Sequence, residues 1–221
     1  MALNKSNTSP GMKAVLILLI VAFVASFISI GAGFFAPTPG ATGTATSADP
    51  LAAINTQYQS QVSGITGQLQ GDPENYSLLV SLGNTYYDWA AAIQQTAQTN
   101  TQVTGADLPM WSSAKDAYAR AVKIKDDEPA VRTDYSITLF YTGETNEALK
   151  VGEKTIKQSP DFAPAHFNNA VFYRALGQND KATAAFNRAL ELDPQGSQVN
   201  IEYVKQALEE LKSAPASGTA E

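Results

Sequence analysis

From Leu51 onward, apolar residues recur every three or four positions and polar residues fill the intervals. Leu51, Ile54, Tyr58, Val62, Ile65 and Leu69 make the first such stripe, the spacing of an amphipathic helix. Gly64 and Gly67 weaken that helix by about 1 kcal/mol each against alanine. A last stripe, Val199, Tyr203, Ala207, Leu208 and Leu211, leaves Glu202, Lys205, Glu209 and Glu210 on its other sides. One stretch breaks the alternation. Residues 14–35 carry no charge and are rich in Val, Leu, Ile and Phe. At about 1.5 Å per residue they extend about 33 Å, the thickness of a bilayer's hydrocarbon core.

Between the two stripes the pattern repeats itself. Residues 129–162 overlay 163–196 without a gap at a period of 34, so that Gly143 falls on Gly177, Ala148 on Ala182 and Pro160 on Pro194. Self-similarity of that length marks stacked helical pairs, each unable to bury its apolar face alone. Gly143 and Gly177 stand where a helix ends in a left-handed residue. Pro160 and Pro194 close helices by withholding an N–H. Asp72-Pro73 reads as an N-cap followed by proline at the first helical position.

The later copy has Tyr173 in its first helix, Ala182, Phe186 and Ala189 in its second, and Pro194 at its close. In these residues it resembles the tetratricopeptide repeat. His166 and Asn169 depart from that family's tryptophan and leucine. In the copy before it Ala148 and Pro160 match, whereas Arg132, Gly152 and Thr155 do not. An earlier copy is split: Leu82, Gly83 and Tyr86 give the first-helix signature, and Ala114, Tyr118 and Ala121 the second. Leu82 lies 19 residues too far upstream for the period, which implies an insertion inside this unit. Its first helix runs to about Thr96, a polar loop follows over 98–109, and the second helix starts at Met110. That loop either shapes a binding edge or is idle.

The resemblance implies an all-α solenoid of helical hairpins. The expected layout is a flanking helix at 51–71, repeat units at 73–128, 129–162 and 163–196, a capping helix at 197–213 and a tail at 214–221. An N-terminal transmembrane helix precedes them.

Lys5 and Lys13 flank the apolar span on one side, and beyond it the first basic residue is Lys115. The positive-inside tendency therefore puts residues 1–13 in the cytoplasm and everything after the span outside. A cleaved signal peptide is the alternative. Its apolar region is shorter and ends in a small-x-small site, whereas here Pro37 follows Ala36, so an uncleaved anchor is the preferred reading. Small residues from Ala22 to Gly33 recur four apart, a pattern that packs membrane helices. Residues 36–50, rich in Thr, Gly, Ala and Pro, read as a flexible tether.

Composition narrows the partners. The net charge is −6, and without Lys5 and Lys13 the outer part holds 13 basic against 21 acidic residues. That balance argues against nucleic acid and anionic headgroups. Cysteine is absent, which removes disulfides and thiolate sites. The lone His166 occupies a packing position, Asp126-Asp127-Glu128 falls in a turn between units and reads as solvated capping residues, and no enzyme signature, metal site or cofactor motif emerges.

The chemistry therefore rests on a groove. In the resembled family the first helix of each unit lines the concave face. Carried over, that selects Val80, Asn84, Tyr87 and Asp88, then Asp134, Ile137, Phe140 and Tyr141, then Phe167, Asn168, Val171 and Arg174, with Lys205 of the capping helix. The lysines of the family's carboxylate-gripping version are missing. The resemblance implies a non-catalytic scaffold or assembly factor that binds a peptide or helix of a protein partner, and the apolar span adds anchorage to a cell membrane with the repeats outside. A structural subunit of a membrane complex is the alternative. Accessory proteins of cytochrome c maturation or of envelope chaperone networks are narrower analogies.

Overall fold

The computed structural model describes residues 49–213. The apolar span, the segment before it, the tether up to residue 48 and the stretch 214–221 lie outside the described residues. The helices are α1 (Ala52–Gly71), α2 (Tyr76–Ala97), α3 (Leu108–Ile124), α4 (Pro129–Tyr141), α5 (Thr145–Gln158), α6 (Ala163–Ala175), α7 (Asn179–Leu192) and α8 (Ile201–Ser213), with one short 3-10 turn at Thr101–Val103. Among the described residues there is no strand, and no helix is long and apolar enough to cross a membrane.

The helices pair as α2 with α3, α4 with α5 and α6 with α7, and the pairs meet through α3–α4 and α5–α6. Small residues make this possible. Ala114, Ala148 and Ala182 are fully buried, as are Ala121 and Ala189, so backbones come close while Tyr118 and Phe186 fill the space beside them. At Gly83 an added Cβ would stand 2.7 Å from the Tyr118 ring, so that glycine sets how near α2 lies to α3. One period after Tyr118 stands Gly152, and Asn169 of α6 occupies the room a large residue would take. An added Cβ on Gly152 would collide with Asn169 Oδ1.

Arg132 and His166, one period apart, do the same job with different chemistry. Arg132 is 1 % exposed. Its Nη1 donates to the Asp126 carbonyl at 2.5 Å and its Nε to Thr155 Oγ1 at 3.3 Å. His166 Nε2 lies 2.8 Å from the Pro160 carbonyl. Each side chain reaches back six residues to fasten the loop that delivers its helix.

The α4–α5 and α6–α7 turns close as expected from the sequence. Gly143 and Gly177 have φ of 87° and 71°. Glu144 N–H donates to Leu139 O at 2.8 Å and Gln178 N–H to Tyr173 O at 2.9 Å, the 6→1 bond of a glycine-terminated helix.

Elsewhere the ends differ from expectation. The N-cap of α2 is Asn75, not Asp72: Asn75 Oδ1 accepts from Leu78 N–H at 3.0 Å, and Asp72 instead accepts from Asn75 Nδ2 at 3.0 Å. Pro73 and Glu74 form a turn before the helix, so the proline sits outside it. Helix α3 starts at Leu108 rather than Met110. The Asp127 and Glu128 side chains cap no helix. Glu128 takes Lys125 at 2.6 Å, while Asp126 pairs with Lys154 and lies 3.6 Å from buried Arg132.

The inserted segment is not idle. Val103 is buried with Leu51, Trp89 and Ile93 in a satellite core. Asp107 anchors the far end, accepting from Gln94 Nε2 at 2.7 Å and Trp111 Nε1 at 2.9 Å. The insertion thereby ties α1 to α2, where Trp89 stacks between Tyr58 and Tyr86.

Candidate functional site

The first helices of the pairs, α2, α4 and α6, supply the concave face, and α4 touches α6 directly. That contact buries much of what the sequence placed there. Tyr87, Ile137, Phe140, Phe167, Asn168 and Val171 are buried, Val80, Asp134, Tyr141 and Arg174 are half-buried, and Asn84, Asp88 and Lys205 are exposed. The aromatic members form a floor. Tyr87 meets Trp111 edge-on at 4.9 Å, Trp111 stacks on Tyr141 at 4.1 Å, and Phe140 lies 5.1 Å from Phe172.

Several polar members are already engaged within the fold. Asn84 Oδ1 accepts from the Tyr118 hydroxyl at 2.6 Å, and Asn168 Nδ2 donates to Pro164 O at 2.8 Å. Arg174 is ion-paired with Glu210 of α8, and Lys205 with Glu202 at 2.8 Å. The concave face thus contributes two cations, both neutralised by acids of the last helix.

Between α4, α6 and the segment leading into α8 lies a cavity of about 130 Å³. Ile137, Phe162, Pro164, Phe167 and Val199 give it apolar walls, and Thr133, Asp134 and Asn168 give it polar ones, with exposed Ala130 at its edge. Ala130 and Thr133 were passed over in the sequence, although they occupy the second and fifth positions of their repeat unit and the periodic rule selects both. Phe162 and Val199 come from connecting segments that the rule does not address. A smaller pocket of about 20 Å³ continues the groove between Ile137, Tyr141, Phe167 and Val171.

The electrostatics of the middle of the groove are acidic. Loss of water, and then the Asp88 charge, push the Asp134 carboxyl up to about 7. The protein surrounding Asp88 raises its pKa as well. Burial, and then nearby Tyr141 and Asp134, raise the Tyr87 phenol, while burial and then Asp134 raise that of Tyr118. Among the described residues, no group of three or more His, Asp or Glu is placed to hold a metal ion.

Residues 139–208 match the family model described as tetratricopeptide repeat. The fold is similar to the crystal structure of MamA, at 15 % identity and a TM-score of 0.52, covering 72 % of this chain and 90 % of that one. It is also similar to MamA MSR-1 C2, at 18 % identity and a TM-score of 0.50, covering 66 % and 74 %. The first TPR of Spaghetti bound to an HSP90 peptide aligns at 17 % identity and a TM-score of 0.49, covering 62 % and 92 %. At these identities the likeness is one of fold alone. No curated protein matches the sequence.

Proposed function

We propose, from the tetratricopeptide repeats of residues 139–208 and the groove beside them, that this chain is a membrane-tethered scaffold that holds a polypeptide partner in its concave face. The observation that carries the reading is the open apolar cavity between α4 and α6, rimmed by a few polar groups. Such a site suits a side chain of an extended peptide or a docked helix. Residues 14–35 anchor the chain, with residues 1–13 in the cytoplasm and the array on the opposite side, as the distribution of lysines supports. The tether of residues 36–50 lets the array reorient close to the membrane face, which raises its effective concentration toward membrane-bound partners.

Cross-linking and capture with the full chain tests the groove. Ala130→Trp places a bulky ring at the cavity's edge from an exposed position, so the fold is retained and partners are lost. A single stoichiometric partner that survives Ala130→Trp would instead make the chain a structural subunit held through its membrane span. Protease added to intact cells should degrade the region after Pro37, and protection of that region would overturn the topology.

A further inference from the structure

We infer that the groove selects a partner segment carrying a lysine or arginine beside an aliphatic side chain. The cation sits at Asp134 under the influence of Asp88, and the aliphatic group fills the cavity between Ile137 and Phe167. This deepens the scaffold reading and rests on it.

Charge complementarity is the first argument. The two cations on the concave face are matched within the fold, Arg174 by Glu210 and Lys205 by Glu202. The two acids are not. Among the described residues, no Lys, Arg or His lies within ion-pair distance of Asp88 or Asp134. An incoming ammonium or guanidinium supplies the missing charge, and hydrogen bonds between ionised partners in a confined site are the strong ones.

The second argument does not depend on charge. Thr133 is 4 % exposed, lines the same cavity, and its hydroxyl has no hydrogen-bond partner. A buried polar atom without a partner is uncommon, and this one belongs to a residue that lines the cavity. Apolar side chains nearby offer an aliphatic neighbour its place.

The groups that face Asp134 set its behaviour. From α2 come Asp88 and the Tyr87 phenol, from α3 the Tyr118 phenol, and from α6 the neutral Asn168. The other charge acting on it is negative, which together with lost water explains its raised pKa. A cation at Asp134 offsets the repulsion from Asp88 and favours the ionised carboxylate.

The test pans random twelve-residue peptides displayed on phage against the immobilised full chain, using wild type, Ala130→Trp and the double variant Asp88→Asn/Asp134→Asn. Circular dichroism confirms that each variant is folded. Wild type should enrich Lys or Arg next to Leu, Ile, Val or Met. The synthesised peptides should lose binding to Ala130→Trp and bind the Asn variant roughly tenfold more weakly or worse. Peptides lost on Ala130→Trp but without basic enrichment, or bound equally by the Asn variant, would overturn the charge inference and leave the groove reading standing. Selection of no peptide, or of peptides indifferent to Ala130→Trp, would overturn both.

Discussion

At the scale of single residues, the most consequential side chains are ionisable ones partly or wholly withdrawn from water. Asp134 has a folded pKa near 7 against an ordinary 3.8, so the folded protein binds its proton more tightly than the unfolded chain. Its contribution to stability is therefore fully present below about pH 4 and is lost as pH rises through about 7. Urea midpoints measured across that range should show Asp134→Asn gaining on wild type toward neutral pH, and parallel curves would refute the assignment. Arg132 is the opposite case, a buried charge with the Asp126 carboxylate 3.6 Å away and with Nε and Nη1 hydrogen-bonded. Truncation to alanine removes the bonds to the Asp126 carbonyl and the Thr155 oxygen and leaves a void, and should cost about 2–4 kcal/mol in urea denaturation. In the sequence Arg132 read only as a mismatch to its repeat. What it binds, a carbonyl six residues back and a hydroxyl on the next helix, is fixed by the turn that the fold makes, and no residue-type rule reports it.

At the scale of elements, glycines do two separable jobs. Gly143 and Gly177 end helices with positive φ in open space, so alanine there strains only the backbone and should cost about 1 kcal/mol. Gly83 is a matter of contact: its substitution by alanine drives a methyl into the buried Tyr118 ring and should cost about 1–3 kcal/mol. Thermal melts of the three variants check both amounts, and equal losses would contradict the distinction. Helices and their glycine ends were legible because period and turn chemistry are local. The start of α2 was less so, since Asp72 and Asn75 are both good caps and only the Pro73-Glu74 turn decides between them. The inserted segment read as polar, and its single apolar anchor, Val103, gave no periodic signal. The groove was legible by face but not by depth. Repeat positions told which side Ile137 and Phe167 occupy, while the approach of α4 to α6 decided that they lie beneath its surface.

At the scale of the molecule, α8 closes the array. Tyr203 packs against Phe167 at 5.7 Å and Phe186 at 6.1 Å, and Val204 and Ala207 are buried with it. Its outer face carries Glu202, Gln206 and Glu209, the polar end a solenoid needs. A chain ending at Gly196 uncovers those aromatics and should self-associate, visible as an elution shift in size-exclusion chromatography; a monodisperse monomer would show that α8 is dispensable. The junctions inside the array are of unequal quality. Between α3 and α4 the rings of Trp111 and Tyr141 lie face to face, whereas between α5 and α6 the Asn169 amide, both polar atoms buried without a hydrogen-bond partner, fills the hollow above Gly152. That mismatch makes a fault line. Under heat or mild denaturant α6–α8 should peel off as one block while α2 and α3 stay closed, and their amides should exchange with deuterium at a shared, lower opening energy. Uniform protection from α2 to α8 would mean the fault is sealed. An array so built yields at one joint, and α6, which lies on one side of that joint, is also a wall of the cavity.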